Sequence, residues 1–401
     1  MIHVSFDQAN SIANSYSGVS QINPSVPHAQ QAIHRLVTRG EILLDSRCRR
    51  CFDVAKSAVV EMMPESSVTM DIRALHGLRG FAFLTVLLAH FSNHYDLALK
   101  GIGKVGVWIF FVLSAFLLTR QLLANGRPLS TRTLSAFFGR RTLRILPAYF
   151  TALLIFLLSR YLIDPENILG HLLFMDGAGH FWTVAVEVQF YVALPLISAG
   201  ILLLDRRGSQ VTTVALVCLW VMSFLIFPPR WLDSSATLMA PYLGVFMAGC
   251  IAAYVTHRNR RLSLAAANMA FVAIAAIIVV TIPSVWSALI EPVRSDHFYR
   301  DYALFSALAA GLVLCCLVPR SWCSTVFSMG PLRHLGTVSF SGYLMHPLAL
   351  KKTSYLAGMI GTLPAMAISM TALIVLTLSL YYIVEKPAAK QMRRLAGPIV
   401  S

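Results

Sequence analysis

Arg79 and His90 stand in the first long apolar stretch of this 401-residue chain, IRALHGLRGFAFLTVLLAHF, beyond the Arg73 and His76 that open it. Arg79 and His90 have ten residues between them, so on a helix they fall only about 20° apart and roughly 16 Å apart along the axis. An ionisable group inside an apolar helix is costly unless it faces a bundle interior, a partner or a water-filled cavity. Arg79 reads either as such an inward-facing group or as an anchor snorkelling to one membrane face. His90 reads as a proton carrier, because an imidazole titrates at about 6.5, or as an interfacial histidine. Glu187, five residues after Trp182, places a carboxylate at the start of another apolar stretch; it is a functional group or a structural ion-pair partner. If the two helices are neighbours, Glu187 is expected at about the depth of His90. Tyr343 and His346 lie three residues apart, on one face of a later apolar helix.

The window FFGRRTLRILPAYF carries Arg140, Arg141 and Arg144 with no acid. Arg141 and Arg144 share a helix face, which offers two planar, bidentate phosphate binders. The same side chains serve equally well as topology anchors that meet anionic lipid. Phe110, Phe111 and Ser114 line a path or simply pack. His90 and His94 have the i, i+4 spacing of a metal pair, but no carboxylate completes the pattern, and Cys48 and Cys51 form a lone CxxC. No metal is expected.

The elements that hold these residues must be membrane helices. With 57% hydrophobic and 13% charged residues, the composition lies outside the soluble range. The net charge of +15 would suggest nucleic acid in a soluble protein, but here the cations alternate along the chain. Arg120, Arg127, Arg132, Arg140, Arg141 and Arg144 follow the second apolar segment, and Asp164, Glu166 and Asp176 follow the third. Arg206 and Arg207, then Arg258, Arg260 and Arg261, continue the alternation, before a mixed loop with Glu291 and Asp296. Ten apolar segments are centred near Leu87, Phe111, Leu153, Leu194, Leu219, Gly244, Ala275, Ala310, Leu344 and Val375. The fold expected is all-α, a polytopic bundle of about ten transmembrane helices with both termini and the Arg-rich loops cytoplasmic. Residues 1–69 form a polar extension expected to be disordered, or to precede a true start at Met70; residues 70–390 form the membrane domain and 391–401 a tail. Most of the seven cysteines sit inside apolar segments as small hydrophobes, and no repeat is visible.

The Arg79/His90 block resembles the opening motif of the membrane acyltransferase-3 family, integral membrane enzymes that acylate cell-surface sugars. GVWIFFVLSAFLLT (106–119) is similar to that family's second-helix signature, RRTLRILP (140–147) to its basic RxxR loop, and FWTVAVEVQFYVALP (181–195) to its Trp, Glu, Phe-Tyr block. LGTVSFSGYLMHPL (335–348) resembles its late Tyr and His helix, and VEKP (384–387) its closing motif. The chain departs from the pattern at His76, where an acid is usual, at Ala115, where glycine is, and at Met345, where tryptophan is common.

The resemblance implies an O-acyltransferase of the cell inner membrane, an O-acetyltransferase first of all. It takes its acyl group from acyl-CoA, binds no permanent cofactor and serves a glycan or lipid-linked sugar. It implies His90 as base, with Glu187 orienting it or binding sugar hydroxyls, and Arg79 as the third member of the catalytic group. It implies Arg141, Arg144 and Arg140 on the CoA phosphates, and Trp182, Tyr343 and His346 at the acceptor. Membrane lipid is an expected partner and nucleic acid is not. Direct transfer and an acyl-histidine relay both remain open. With no esterase-like domain after the last segment, the enzyme is expected to act alone or with a separate partner. The competing classes are a lipid or polysaccharide transporter with a polar intramembrane path, and a non-catalytic membrane scaffold.

Overall fold

The computed structural model describes residues 65–95, 102–227, 237–290 and 302–396, and all regular structure among them is helical. Residues 1–64, including Cys48 and Cys51, lie outside the described residues, as do the side chain of His94 and the loop with Glu291 and Asp296. The longer helices are α1 (Glu65–Tyr95), α2 (Gly103–Asn125) and α3 (Thr131–Leu158). After the short α4 (Ile168–Leu172) come α5 (Trp182–Asp205), α6 (Ser209–Ile226) and α7 (Leu243–His257). Then follow α8 (Leu264–Val280), α9 (Pro283–Leu289), α10 (Tyr302–Cys316), α11 (Trp322–Phe327) and α12 (Gly330–Leu350). The chain closes with α13 (Thr353–Ile360), α14 (Thr362–Leu380), a π-helical turn at Tyr381–Glu385 and α15 (Lys386–Ala396).

Each of the ten apolar segments falls on a helix; among the described residues seven of these helices are long and apolar enough to cross a bilayer, or eight if one bent pair is counted as a single span. The differences have local causes. The segment near Ala275 breaks before Pro283 and turns by 81° into α9. The segment near Ala310 lies on α10, of which the 15 described residues alone do not reach across a hydrocarbon core of about 30 Å. The segment near Leu344 is 21 residues long but carries Arg333, His334, Thr337, Ser339, Ser341 and His346. The chain is a multi-pass membrane protein.

Two features set the position of the site. First, α1 and α12 meet backbone to backbone. A Cβ built on Gly336 would lie 1.9 Å from the carbonyl oxygen of His76, and one built on Gly80 would lie 2.0 Å from that of Leu332. Small residues at such a seam let membrane helices approach closely. The seam brings the face of α1 that carries Arg79 and His90 against the face of α12 that carries Ser339, Tyr343 and His346. Second, α2 is central. Its residue Ala115 is fully buried, and a Cβ on Gly249 of α7 would stand 2.7 Å from the Ala115 methyl. The methyl group at position 115 is thus accommodated by a glycine across the interface. In the bilayer-crossing windows, 67% of α1 and of α2 is buried but only 17% of α6, so α6 faces outward.

Candidate active site

A cavity of about 220 Å³ opens between α1, α2, α3, α5 and α12. Its polar lining consists of His76, Arg79, Ser114, Arg120, Arg141, Arg144, Thr183, Glu187, Tyr191, Ser339 and Tyr343. Four of these are arginines and one is a carboxylate. Glu187 accepts a very short hydrogen bond from Ser114 and another from Tyr191 at 2.5 Å. Arg141 lies over the Tyr191 ring at 5.8 Å, and Arg79 over the Phe110 ring at 5.9 Å. The buried Nε of Arg79 has no hydrogen-bond partner among the described residues. Glu385, in the π-helical turn of the VEKP motif, accepts a 2.5 Å hydrogen bond from Ser341 of α12. It joins Glu187 as the second carboxylate facing Arg79, while Arg144 opposes Arg79 with like charge.

His90 does not line this cavity, and Glu187 is not at its depth. Glu187 falls instead at the level of Arg79, because the residue of the α5 region that reaches the histidine level is His180. The His180 ring packs 5.3 Å from that of His346, which packs 4.6 Å from that of His90. Glu187 lies seven residues, about two turns or 10 Å, farther along the chain. Arg79 and His90 therefore mark two stations on one helix face, as their spacing predicts, and Glu187 belongs to the arginine station.

Tyr343 joins the stations. It lines the cavity, and its ring lies 5.5 Å from that of His346. Thr183 Oγ1 lies 3.0 Å from Tyr343 Oη and 3.1 Å from the carbonyl of His180, which Tyr343 Oη also reaches at 3.3 Å. Pro347 explains how His346 is held. Having no N–H, it leaves the carbonyl of Tyr343 without its i+4 helical donor. The Nδ1–H of His346 takes that carbonyl at 2.6 Å, so Nε2 carries the lone pair; it is buried and has no hydrogen-bond partner among the described residues. His180 is fixed in the opposite sense. Its Nε2–H donates to the carbonyl of Leu344 at 2.9 Å and leaves Nδ1 buried with its lone pair.

Other expected site residues stand apart from the cavity. Arg140 does not line it, although Arg141 and Arg144 do, and Arg120 of α2 completes the basic wall. Trp182 packs against Tyr242, ring centroids 5.0 Å apart, and edge-on to Phe111 at 5.9 Å; it too is absent from the lining. Sequence reasoning passed over Tyr191, Thr183 and His180. All three lie within or beside the FWTVAVEVQFY block, and Tyr191 follows Glu187 by one helical turn, a spacing that could have revealed it. The approach to α5 is pinned by Gln189, whose Nε2 donates to the carbonyls of Phe174 (2.8 Å) and Thr237 (2.6 Å), while its Oε1 accepts from Met239 N–H (2.9 Å).

The model of a family described as an acyltransferase domain matches residues 72–384. The peptidoglycan O-acetyltransferase of Listeria monocytogenes is 26% identical over 315 residues, covering 69% of this chain and 49% of that protein. A Bacillus subtilis protein provisionally named a peptidoglycan O-acetyltransferase is 28% identical over 313 residues, covering 69% and 48%. A Staphylococcus aureus protein provisionally named an O-acetyltransferase is 23% identical over 309 residues, covering 69% and 50%. The chain thus spans about half the length of the curated relatives it matches. No solved structure matches it. On the match across residues 72–384, which takes in both stations, the chain belongs to the acyltransferase-3 family.

Proposed function

We propose that this chain is an O-acetyltransferase of the inner membrane that moves an acetyl group from acetyl-CoA to a hydroxyl of a cell-surface glycan. Peptidoglycan is the first acceptor to test, given the names of its relatives. The observation that carries this reading is the shared cavity, which gathers Arg141 and Arg144 with Glu187 and Tyr343 at one end of a polar file that ends at His90. Arg141 and Arg144 hold the diphosphate of the donor from the Arg-rich, cytoplasmic face, and the pantetheine arm runs along the file toward His90. At His90 the imidazole takes the acceptor's hydroxyl proton as its oxygen attacks the thioester carbonyl. The oxyanion collapses, the C–S bond breaks, and the imidazolium returns the proton to the departing thiolate, leaving an acetyl ester and free CoA. Arg79 and Glu187 hold the arm and set the field along its path.

The test is transfer of labelled acetyl from acetyl-CoA to glycan in membranes carrying the wild type, His90→Ala, or Arg141→Ala with Arg144→Ala. Loss of transfer in the first variant and a raised KM for acetyl-CoA in the second are expected. Equal labelling by all three correctly inserted proteins would refute the assignment and favour a glycan or lipid transporter using the same polar file.

A further inference from the structure

Beside the first cavity lies a second, of about 190 Å³, that the reading above does not use. Its wall combines Arg120, Asn259, Arg260 and Arg261 with apolar residues of α7 and α10 such as Val255 and Leu314. Arg120 lines both cavities, so they adjoin at that side chain. Among the described residues no carboxylate lines the second one. In the loop that closes α7, Arg258 is committed to Asp205 at 3.4 Å, and Asp205 also accepts from Tyr254 at 2.5 Å. The nearby acid is therefore engaged by the first arginine, and among the described residues no acid pairs with Arg260 or Arg261, which bring their charge to the recess. Asn259 turns the chain with φ +53°, a conformation that asparagine tolerates better than most residues. Three guanidinium groups converging on a recess with an apolar wall repel one another and match a phosphate, which they bind with charge-assisted, bidentate geometry.

We propose that this second cavity is a phosphate subsite that receives the ribose 3′-phosphate of the CoA donor, while Arg141 and Arg144 hold its diphosphate and Arg120 stands between them. This inference rests on acyl-CoA being the donor. The nucleotide end of CoA carries two separate anionic groups and an adenine, and the two adjoining basic recesses, one with an apolar wall, have that same distribution. A lipid headgroup offers similar phosphate chemistry, so the experiment must separate the two sources.

The measurement compares acetyl-CoA with acetyl-dephospho-CoA, which lacks only the 3′-phosphate, as donors for the full chain in nanodiscs. The wild type is expected to prefer acetyl-CoA by about tenfold or more in kcat/KM, the scale of hydrogen bonds to a charged group. In Arg260→Ala with Arg261→Ala, that preference should fall close to one. A variant that keeps the wild-type preference overturns the subsite and leaves the donor assignment standing. Equal weakening toward both donors, removed by replacing phosphatidylglycerol with phosphatidylcholine, overturns it in favour of a lipid headgroup. A wild type that accepts neither donor overturns the donor assignment and the subsite together. A readout on the wild type alone covers a variant that fails to fold. Adenosine 3′,5′-bisphosphate should inhibit at least about tenfold more tightly than adenosine 5′-monophosphate, and equal inhibition overturns the subsite.

Discussion

The contact of α1 with α12 makes Gly336→Ala a severe test of how the site is assembled. A Cβ on Gly336 would lie 1.9 Å from the carbonyl oxygen of His76, 2.9 Å from its carbon and 3.2 Å from the amide nitrogen of Gly80. All three are backbone atoms, so no side chain can swing away. Ordinary contact begins at 3.4 Å, and the two helices must therefore part by about 1.5 Å. Overpacking of this kind costs about 1–3 kcal/mol. The larger consequence is positional, because the same seam sets Arg79 against Ser339 and Tyr343, and a misplacement of about 1 Å can cost a hundredfold in rate. The assay pairs acetyl transfer with thermal unfolding in detergent. The expected result is a transfer rate lowered by about a hundredfold, together with a depressed melting midpoint. Gly200→Ala serves as the control, since among the described residues nothing lies within 4 Å of a Cβ there. It should leave transfer unchanged and stabilise α5 by up to about 1 kcal/mol. A Gly336→Ala protein with wild-type turnover and an unchanged midpoint would refute the seam as the device that positions the site.

Glu187→Gln keeps an oxygen to accept from Ser114 and Tyr191 but removes the charge; transfer should drop at least about a hundredfold with normal expression and melting. Arg141→Lys retains the charge but loses the planar fork over Tyr191, so the KM for acetyl-CoA should rise about tenfold with kcat little changed, as steady-state kinetics will show. Pro347→Ala supplies an N–H that competes with His346 for the Tyr343 carbonyl. The helix should melt no earlier, and later if anything, while transfer falls, and paired melting and activity measurements distinguish this from simple damage. His171 sits between the spans, where burial holds its pKa below the usual histidine value against the opposing pull of Asp176. Its unfolded form then binds protons more readily than its folded form, so the stability it contributes is present above about pH 6.5 and is lost as pH falls from there toward the lowered folded-state pKa. The melting midpoint should decline as pH falls below about 6.5, and His171→Gln should flatten that decline.

How much of this could be read from the sequence depends on the range of the physics involved. Helices, apolar segments and the relation between Arg79 and His90 follow from periodicity along one element, and the structure keeps all three. The break between α8 and α9 did not follow, because hydropathy does not register the 81° bend ahead of Pro283. The depth of Glu187 lies beyond the sequence for a different reason. The sequence marks only where an apolar run begins, whereas the axial offset between two helices is set by side chains that touch across them. Here His180 rather than Glu187 meets His346, so the carboxylate is carried two turns away to the arginines. That offset changes the argument about the reaction. A carboxylate beside His90 would have invited a catalytic triad, but Glu187 accepts from Ser114 and Tyr191 in the cavity with Arg79 and Arg141, while the rings of Tyr343 and His346 stand between that cavity and His90. The tautomer that is legible in the structure is that of His346, the ring between Tyr343 and His90, and it is held by the carbonyl that Pro347 releases, a local signal present in the HP dipeptide whose meaning appears only once the helix and its missing hydrogen bond are in place.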